Sequence, residues 1–126
     1  MAAVGSLAGR AAEETIALAG MDSREFAVLD LLVGADAPLA QATIAFQLRR
    51  DRTTVMQLVR SLGRKGLVTL LKDAEDGRVR AVVLTARGLE RYRLAQSNLE
   101  AAAEDFFWLL SETEREAFVA TLRRVL

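Results

Sequence analysis

The chain has 126 residues, 52% of them hydrophobic and only one of them proline, so length and composition favour a single, mainly helical globular domain. It has neither cysteine nor histidine, which excludes a thiol redox sensor, a disulfide scaffold and catalysis by the usual Cys/His or Ser/His pairs, and argues against bound zinc. Its 17 basic and 17 acidic residues cancel. Because the sequence has neither a long apolar run nor a secretory signal, we expect a cytoplasmic protein without a membrane partner. Because the usual catalytic and metal-binding residue types are missing, we also expect no enzymatic activity, no cofactor and no metal.

The first two predicted helices precede the central part of the chain. A weak stripe of mostly small residues predicts a first helix over residues 5–20 that packs closely against another helix. That stripe consists of Leu7, Ala11, Ala12, Thr15, Leu18 and Ala19. Asp22 and Glu25 have the spacing of a capping box at the start of a second helix. Residues 34–38 are predicted to form a loop, and Leu39 a minimal strand.

Residues 40–88 carry the strongest local signals. Ile44, Ala45 and Leu48 give a short helix one apolar face, and a polar turn at residues 49–51 follows. A second helix is predicted from apolar residues at i, i+3, i+4 and i+7. This inward stripe consists of Val55, Leu58, Val59 and Leu62. Asp51 is placed to cap the helix, because its carboxylate can accept the free N–H groups of the first turn.

The face of this helix opposite the stripe is polar and cationic. It carries Thr53, Gln57, Arg60 and Arg64 and no carboxylate. Hydroxyl, amide and guanidinium groups are those that meet base edges and phosphates in the major groove of DNA. Two short helices joined by a tight turn, with the small residue Ala45 where they approach, indicate a helix-turn-helix.

A β-hairpin is predicted directly after this unit. Gly66 ends the helix as glycine does at the C′ position, and residues 67–71 have the composition of a strand. A polar loop over residues 73–79 leads to a second strand at residues 81–85, which is rich in β-branched residues. A helix-turn-helix followed by a hairpin is a winged helix.

A long helix is predicted from Ala86 onwards, with a heptad-like seam of residues three and four apart. The seam consists of Leu89, Tyr92, Gln96, Leu99, Ala103, Phe106 and Leu110. Ser111 and Glu114 have the spacing of a second capping box and open a last helix. The predicted inward-facing residues of that helix are Phe118, Thr121, Leu122 and Val125. Such a seam must pack against other helices, which belong either to a second copy of the chain or to the same copy.

The hairpin and its flanks resemble one known family. The sequence KGLV at residues 65–68 precedes Asp76-x-Arg78, Val82-x-Leu84-Thr85 and Gly88. This spacing is similar to the pattern D-x-R-x-x-x-V-x-L-T-x-x-G of the MarR family of winged-helix transcription regulators. The resemblance covers roughly residues 21–88 by motif and the remainder by layout.

Arg49 departs from the family's pattern, since the family often has glycine at this position of the turn. A non-glycine residue at positive φ costs about 1 kcal/mol, so we expect a differently shaped turn here.

The resemblance implies a mainly α fold with a small β-hairpin wing: a winged helix-turn-helix with N- and C-terminal dimerisation helices in one compact domain. Residues 21–85 are the expected DNA-binding unit, and residues 1–20 and 86–126 the expected helical dimerisation layer. The implied function is a homodimeric transcription regulator, expected to be a repressor, on a pseudo-palindromic operator in double-stranded DNA. A small aromatic or anionic ligand is expected to release it.

The expected roles of single residues follow from the helix pattern and from the resemblance. Thr53, Gln57 and Arg60 are predicted to contact base edges. The resemblance implies that Arg78 enters the minor groove from the wing while Asp76 holds its guanidinium. Predicted phosphate contacts are Gln41, Thr43, Arg49, Arg50, Arg52, Thr54, Arg64 and Lys65. Arg10, Phe26, Asp30 and Tyr92 are candidates for the lining of an effector pocket.

The distribution of charge is compatible with DNA binding despite the neutral total. Residues 49–65 contain six basic residues against Asp51 alone, so they sum to +5 and the remainder of the chain to −5. Local charge determines counterion release at the contact. Two alternatives stay open: a winged-helix adaptor that binds protein, and a small-molecule-binding protein without a DNA role.

Overall fold

The computed structural model describes the backbone of residues 2–125 and the side chains of residues 9–121, 123 and 124. Met1 and Leu126, the ends of the predicted helical layer, and the side chains of Leu7, Leu122 and Val125 lie outside the described residues. The elements are α1 (Ala2–Leu18), α2 (Ser23–Ala35), α3 (Gln41–Leu48), α4 (Arg52–Arg64), β1 (Val68–Lys72), β2 (Val79–Leu84), α5 (Ala86–Leu109) and α6 (Glu112–Val125). The predicted fold class, mainly helical with a hairpin wing, is confirmed.

Two predicted capping boxes fix where helices begin. The Glu25 N–H donates to the Asp22 carboxylate at 2.8 Å, and the Asp22 N–H donates to Glu25 Oε1 at 3.1 Å. The Ser111–Glu114 pair repeats this arrangement at the start of α6, with bonds of 2.9 and 3.2 Å. The bonds from Ser111 hold the pKa of the Glu114 carboxyl below its usual value. Each pair satisfies N–H groups that the first helical turn leaves without partners.

The end of α2 differs from the prediction that a loop begins at Gly34. The helix continues through Gly34 to Ala35 and ends at Asp36, whose φ of 49° is left-handed. The Asp36 N–H donates to the carbonyl oxygens of Leu32 and Val33 at 3.1 and 3.2 Å. Aspartate tolerates this backbone region better than most residues. The helix therefore ends where its last carbonyl groups find a donor, not at its glycine.

The wing is a two-stranded antiparallel sheet in which Val68 is paired with Leu84 and Leu70 with Val82. Leu39 adds the predicted minimal strand: its N–H donates to the Val82 carbonyl at 3.0 Å, and the Val82 N–H donates back at 2.7 Å. β2 ends one residue before the prediction, because Thr85 leaves the strand to cap α5. The hairpin is thus tied to the segment between α2 and α3.

One hydrophobic core joins the helix-turn-helix, the wing and the inner faces of α1 and α5. Its largest fully buried side chains are Leu29, Leu32, Ile44, Leu62, Val28, Val55, Val59 and Val82. All four residues of the predicted α4 stripe are buried in it. Burying an aliphatic side chain of this size contributes roughly 1.5–3 kcal/mol, so the stripe fixes which face of α4 points outward.

The start of α5 explains why threonine and glycine stand at positions 85 and 88. The Thr85 hydroxyl donates to the Gly66 carbonyl at 2.7 Å and accepts the Gly88 N–H at 2.9 Å. Thr85 therefore caps α5 and at the same time ties it to the residue that ends α4. A Cβ on Gly88 would lie 2.0 Å from the Leu67 carbonyl oxygen, so only glycine allows this approach.

Two predictions for the outer helices need correction. Leu18, placed in the stripe of the first helix, is 79% exposed, and Ile16 is buried instead. Gln96, placed in the seam of α5, is exposed, and the neighbouring Ala95 is fully buried. The predicted neighbours Ala19, directly after α1, and Tyr92 on α5 are buried as expected, so each helix keeps its predicted inward face although these two positions are misplaced. Within residues 2–125, no helix combines the length and apolarity needed to cross a bilayer.

Candidate nucleic-acid interface

The helix α4 is held by its first turn and by its buried stripe. Asp51 is the N-cap: its carboxylate accepts the Thr54 N–H at 3.2 Å and also the Thr54 hydroxyl. These bonds stabilise the ionised carboxylate and hold the pKa of Asp51 below its usual value. Thr54, predicted to contact phosphate, thus has its hydroxyl engaged within the cap. The predicted N-cap is confirmed.

The outward face of α4 presents the side chains that were predicted to face DNA. Thr53, Gln57, Arg60 and Arg64 are all exposed. Among the residues that the structure describes, none of the four makes a side-chain hydrogen bond or an ion pair. Their donors and acceptors are therefore available to an external partner. Met56 also reaches the surface, with 37% of its area exposed.

The turn between α3 and α4 closes in the left-handed conformation, with Arg49 at φ 54°. The Arg49 N–H donates to the Phe46 carbonyl at 3.3 Å, and the Arg50 N–H donates to the Ala45 carbonyl at 3.0 Å. This is the Schellman pattern that usually has glycine at the left-handed residue. The expectation of a differently shaped turn is wrong: Arg49 adopts the conformation that glycine favours.

Apart from Thr54, the predicted phosphate contacts differ in their exposure and in their partners. Five of them are exposed near α4 or at its ends: Thr43, Arg49, Arg50, Arg52 and Arg64. Gln41 is half-buried at the start of α3. Lys65 has a different partner, since its ammonium donates to both carboxylate oxygens of Glu25 at 2.8 and 2.9 Å. Sequence reasoning placed Lys65 with the free cations because its partner is distant in the chain.

The wing tip carries Arg78, whose side chain is 80% exposed. Asp76 lies beside it as predicted, with its Oδ2 atom 3.7 Å from Arg78 Nε and its Oδ1 atom accepting the Arg78 N–H at 2.9 Å. Sequence reasoning missed a second pair, in which Asp73 accepts from Arg80 Nε and Nη2 at 3.1 and 2.9 Å. Backbone N–H groups of the tip and Arg80 hold the pKa of Asp73 below its usual value. The hairpin register, had it been known, would have placed these two residues together.

Three of the four candidates for an effector pocket meet at the junction of α2 and α5. The rings of Phe26 and Tyr92 stack with centroids 5.1 Å apart, and the Tyr92 hydroxyl donates to Asp30 at 2.5 Å. This bond and burial raise the pKa of Tyr92 to about 12. Arg10 is exposed on α1 and takes part in none of these contacts. The three side chains pack directly against each other.

Two of the clefts in the described part of the chain involve the long helix α5. An apolar cleft of about 230 Å³ between α1, α5 and α6 is lined by Ala11, Ala12, Leu99, Ala102, Ala103, Phe106 and Phe118. A second cleft of about 440 Å³ lies between the end of α2, the strand β2 and the start of α5, and Asp36 and Arg93 are among its lining residues. Neither cleft is lined by the four candidate residues.

The outer helices expose several large apolar side chains. Leu18, Leu94, Trp108 and Leu109 are exposed on α1 and α5. Leu109 is the most exposed of them, at 84%. Phe107 lies inside the bend between α5 and α6, where Phe118 packs on it with ring centroids 6.1 Å apart. The Arg115 guanidinium lies 5.2 Å from the Trp108 ring and holds the bend through the Leu110 carbonyl at 2.9 Å.

A helix-turn-helix with an outward polar second helix, followed by a hairpin with an exposed arginine, defines a winged helix-turn-helix domain. The sequence model of the MarR family matches residues 19–79. The PcaV transcriptional regulator from Streptomyces coelicolor, solved in complex with its natural ligand, is 33% identical, and the alignment covers 83% of this chain and 74% of PcaV with a TM-score of 0.62. The chain belongs to the MarR family, whose members are transcription regulators and not enzymes.

Two further proteins are similar to this chain. The HTH-type transcriptional regulator YdgJ of Bacillus subtilis is 27% identical over 109 residues, which are 86% of this chain and 66% of YdgJ. The chain thus spans about two thirds of the length of that relative. A single-residue variant of S. aureus MepR, solved bound to an oligodeoxyribonucleotide, is 26% identical, with a TM-score of 0.72 over 97% of this chain and 89% of MepR.

Proposed function

We propose that the chain is a cytoplasmic homodimeric repressor that binds a pseudo-palindromic operator in double-stranded DNA and is released by a small aromatic or anionic ligand. In this proposal Thr53, Gln57 and Arg60 meet base edges in the major groove, and Arg78, held by Asp76, enters the minor groove. The proposed phosphate contacts are Gln41, Thr43, Arg49, Arg50, Arg52 and Arg64. Thr54 and Lys65 are omitted, because Asp51 and Glu25 engage their polar atoms.

The observation that carries this proposal is the division of α4 into a buried apolar face and an exposed, unengaged polar face. Val55, Leu58, Val59 and Leu62 anchor the helix in the core. On the other side, two guanidinium groups, an amide and a hydroxyl point outward without partners among the described residues. The helix has 13 residues, so it is about 20 Å long and fits a major groove about 12 Å wide. The MepR variant bound to an oligodeoxyribonucleotide supports the choice of ligand.

The exposed apolar surface of α1 and α5 supports the homodimer. Leu18, Leu94, Trp108 and Leu109 face solvent in a single copy, although burying apolar area contributes about 25 cal/mol per Å². A two-fold axis through this layer would cover these side chains and present two copies of α4 to successive half-sites about 34 Å apart. In such a dimer, one two-fold axis would relate both the two copies of the chain and the two half-sites of the operator.

The proposed ligand release is supported by a relative and by a cleft. PcaV was solved in complex with its natural ligand. In this chain the cleft between α2, β2 and α5 has a volume of about 440 Å³, which lies within the range of small-molecule sites. Arg93 lines this cleft and offers a guanidinium group to an anionic ligand. A ligand that binds one spacing of the two α4 helices better than another would shift the dimer toward that spacing.

Selection of bound duplexes from a random-sequence library, followed by salt titration, tests the proposal. A DNA regulator enriches a two-fold symmetric motif, and its log affinity falls linearly with log salt at a slope that reflects several phosphates. Failure to enrich or bind any duplex would refute DNA binding. In that case, retention of a protein partner would favour the adaptor, and retention of a small ligand alone would favour the binding protein without a DNA role.

The Arg60→Ala variant tests base readout within the same assay. If Arg60 contacts a base, the variant should lose about 1–3 kcal/mol on the selected duplex and relax the motif at one position. Arg123→Ala is the matched control, because it removes an exposed arginine of α6, away from α4. Equal losses on selected and scrambled duplexes would assign Arg60 to phosphate instead.

A further inference from the structure

Glu25 stands apart from all other charged residues that the structure describes, because only 3% of it is exposed. A buried carboxylate is costly unless it is paired and hydrogen-bonded. Its Oε1 atom accepts the Asp22 N–H at 3.1 Å and the Lys65 ammonium at 2.8 Å. Its Oε2 atom accepts the Ser61 hydroxyl at 3.0 Å and the same ammonium at 2.9 Å. The group is therefore fully satisfied by two elements that are far apart in sequence.

Two of the partners of Glu25, Ser61 and Lys65, lie at the C-terminal end of α4. Ser61 and Lys65 are four residues apart and so lie one above the other on a single side of α4 and its cap. Arg60 and Arg64 each directly precede one of them, so each arginine is offset from an anchored residue by about 100° around the helix. Fixing Ser61 and Lys65 therefore fixes the side of α4 from which both arginine side chains leave the backbone.

The other side of the contact is equally rigid. Glu25 is the third residue of α2 and belongs to the capping box with Asp22, so its backbone and carboxylate are both held at the start of that helix. A rotation of α4 about its axis would have to break the bonds to Ser61 and Lys65 and leave a buried carboxylate without a countercharge. The apolar stripe determines which face of α4 is buried, and the bonds to Ser61 and Lys65 add a directional constraint at its C-terminal end, because hydrogen bonds depend on angle and aliphatic contacts do not.

We propose that Glu25 is a positioning residue for DNA recognition: through Ser61 and Lys65 it sets the rotation of the C-terminal half of α4, and Lys65 serves this contact instead of binding phosphate. The inference rests on the proposed function, since the orientation of Arg60 and Arg64 matters only if they meet DNA. It predicts that loss of the Glu25 charge impairs discrimination between sequences, although removing an acidic group strengthens the general attraction to DNA.

Glu25→Gln is the informative variant, because glutamine also serves at this position of a capping box and so preserves the start of α2. The probes are the duplex that the wild-type protein selects from a random library and a scrambled duplex of the same length and composition. We expect affinity for the selected duplex to fall about tenfold while affinity for the scrambled duplex stays level or rises, with the salt slope unchanged. Arg24→Gln is the control, since it removes an exposed charge one residue away.

Lys65 provides a second arm of the test. Lys65→Met leaves the Glu25 carboxylate buried without a cation and should impair specific binding more than Glu25→Gln. The double variant Glu25→Gln/Lys65→Met removes both charges and should recover part of that loss. A salt slope lowered by about one in Lys65→Met would overturn the inference, because it would assign Lys65 to phosphate. Equal losses on both duplexes in Glu25→Gln would also overturn it.

Hydrogen exchange of the free protein separates this inference from the proposed function. In Glu25→Gln the amide N–H groups of residues 60–65 should exchange faster by about tenfold, while those of residues 55–59 and of the Arg24→Gln control stay unchanged. Unchanged protection of residues 60–65 would overturn the inference. If the wild-type protein binds no duplex, the proposed function fails, and exchange alone decides whether Glu25 sets the position of α4.

Discussion

The energetic cost of a left-handed residue after a helix can be tested in this protein, because the same Schellman ending follows both α3 and α4 with different residues at the left-handed position. The left-handed residue that follows α3 is Arg49, with φ 54°, and the one that follows α4 is Gly66, with φ 76°. Both ends have the two Schellman bonds: at the second one, Gly66 donates to the Gly63 carbonyl at 3.0 Å and Leu67 to the Leu62 carbonyl at 2.9 Å. Arginine at such a position is strained, and glycine is not.

The reciprocal variants are Arg49→Gly and Gly66→Ala. The left-handed conformation costs a non-glycine residue about 1–2 kcal/mol, and the greater freedom of glycine in the unfolded chain offsets about 0.4–1 kcal/mol of that. We therefore expect Arg49→Gly to stabilise the protein by about 0.5–1 kcal/mol and Gly66→Ala to destabilise it by a similar amount. An added Cβ at Gly66 meets its nearest atom, Arg87 Cδ, at 3.7 Å, so no clash contributes.

Urea unfolding at one fixed protein concentration measures both effects, since dimerisation would otherwise shift the midpoint. With a typical dependence of the unfolding free energy on urea of about 2 kcal/mol per M, a change of this size moves the urea midpoint by about 0.4 M. Gly63→Ala is the matched control: it lies within α4, a Cβ there meets nothing within 4 Å, and alanine should stabilise the helix by about 0.5–1 kcal/mol. If Arg49→Gly lowers stability, or if Gly63→Ala and Gly66→Ala shift the midpoint in the same direction, the reasoning is refuted.

Three further predictions concern single positions. Gly88→Ala should destabilise the protein by about 3 kcal/mol or more in urea unfolding, because its Cβ would lie 2.0 Å from the Leu67 carbonyl oxygen; a loss below about 1 kcal/mol would mean that α5 can shift. Arg78→Ala should weaken binding to the selected duplex and leave the unfolding midpoint unchanged, and an unchanged affinity would remove the wing from the interface. Phenolate absorbance of Tyr92, the single tyrosine, should titrate near pH 12 in the folded protein and at a lower pH in Asp30→Asn, where burial alone still raises the pKa. Since the folded pKa is the higher one, stability should fall as the pH rises from about 10 to 12, and a flat profile there would contradict the Asp30 bond.

The parts of the fold that could be predicted are those determined by neighbours in sequence. The stripe of α4 repeats with the period of a helix, and Asp51 lies directly before it, so both the buried face and the N-cap follow from local rules. The capping boxes at Asp22 and Ser111 depend on residues three apart and are equally local. The outward face of α4 was predictable for the same reason, as the complement of its buried stripe.

The parts that could not be predicted depend on pairs that the fold brings together. Glu25 and Lys65 are 40 residues apart, and each by itself has the pattern of an ordinary surface charge. Tyr92 and Asp30 are 62 residues apart, so their hydrogen bond has no local signal. The prediction at Arg49 was wrong for the opposite reason: the local rule expects glycine, but the bonds that close the turn outweigh the preference of a single residue.

The hydroxyl of Thr85 joins the first turn of α5 to the carbonyl group of Gly66, where α4 has just ended. α5 has 24 residues and is therefore about 36 Å long, so a tilt of about 5° moves its far end by about 3 Å. Because Thr85 pins the near end of α5 to Gly66, any tilt of the long helix would act directly on the C-terminal end of α4.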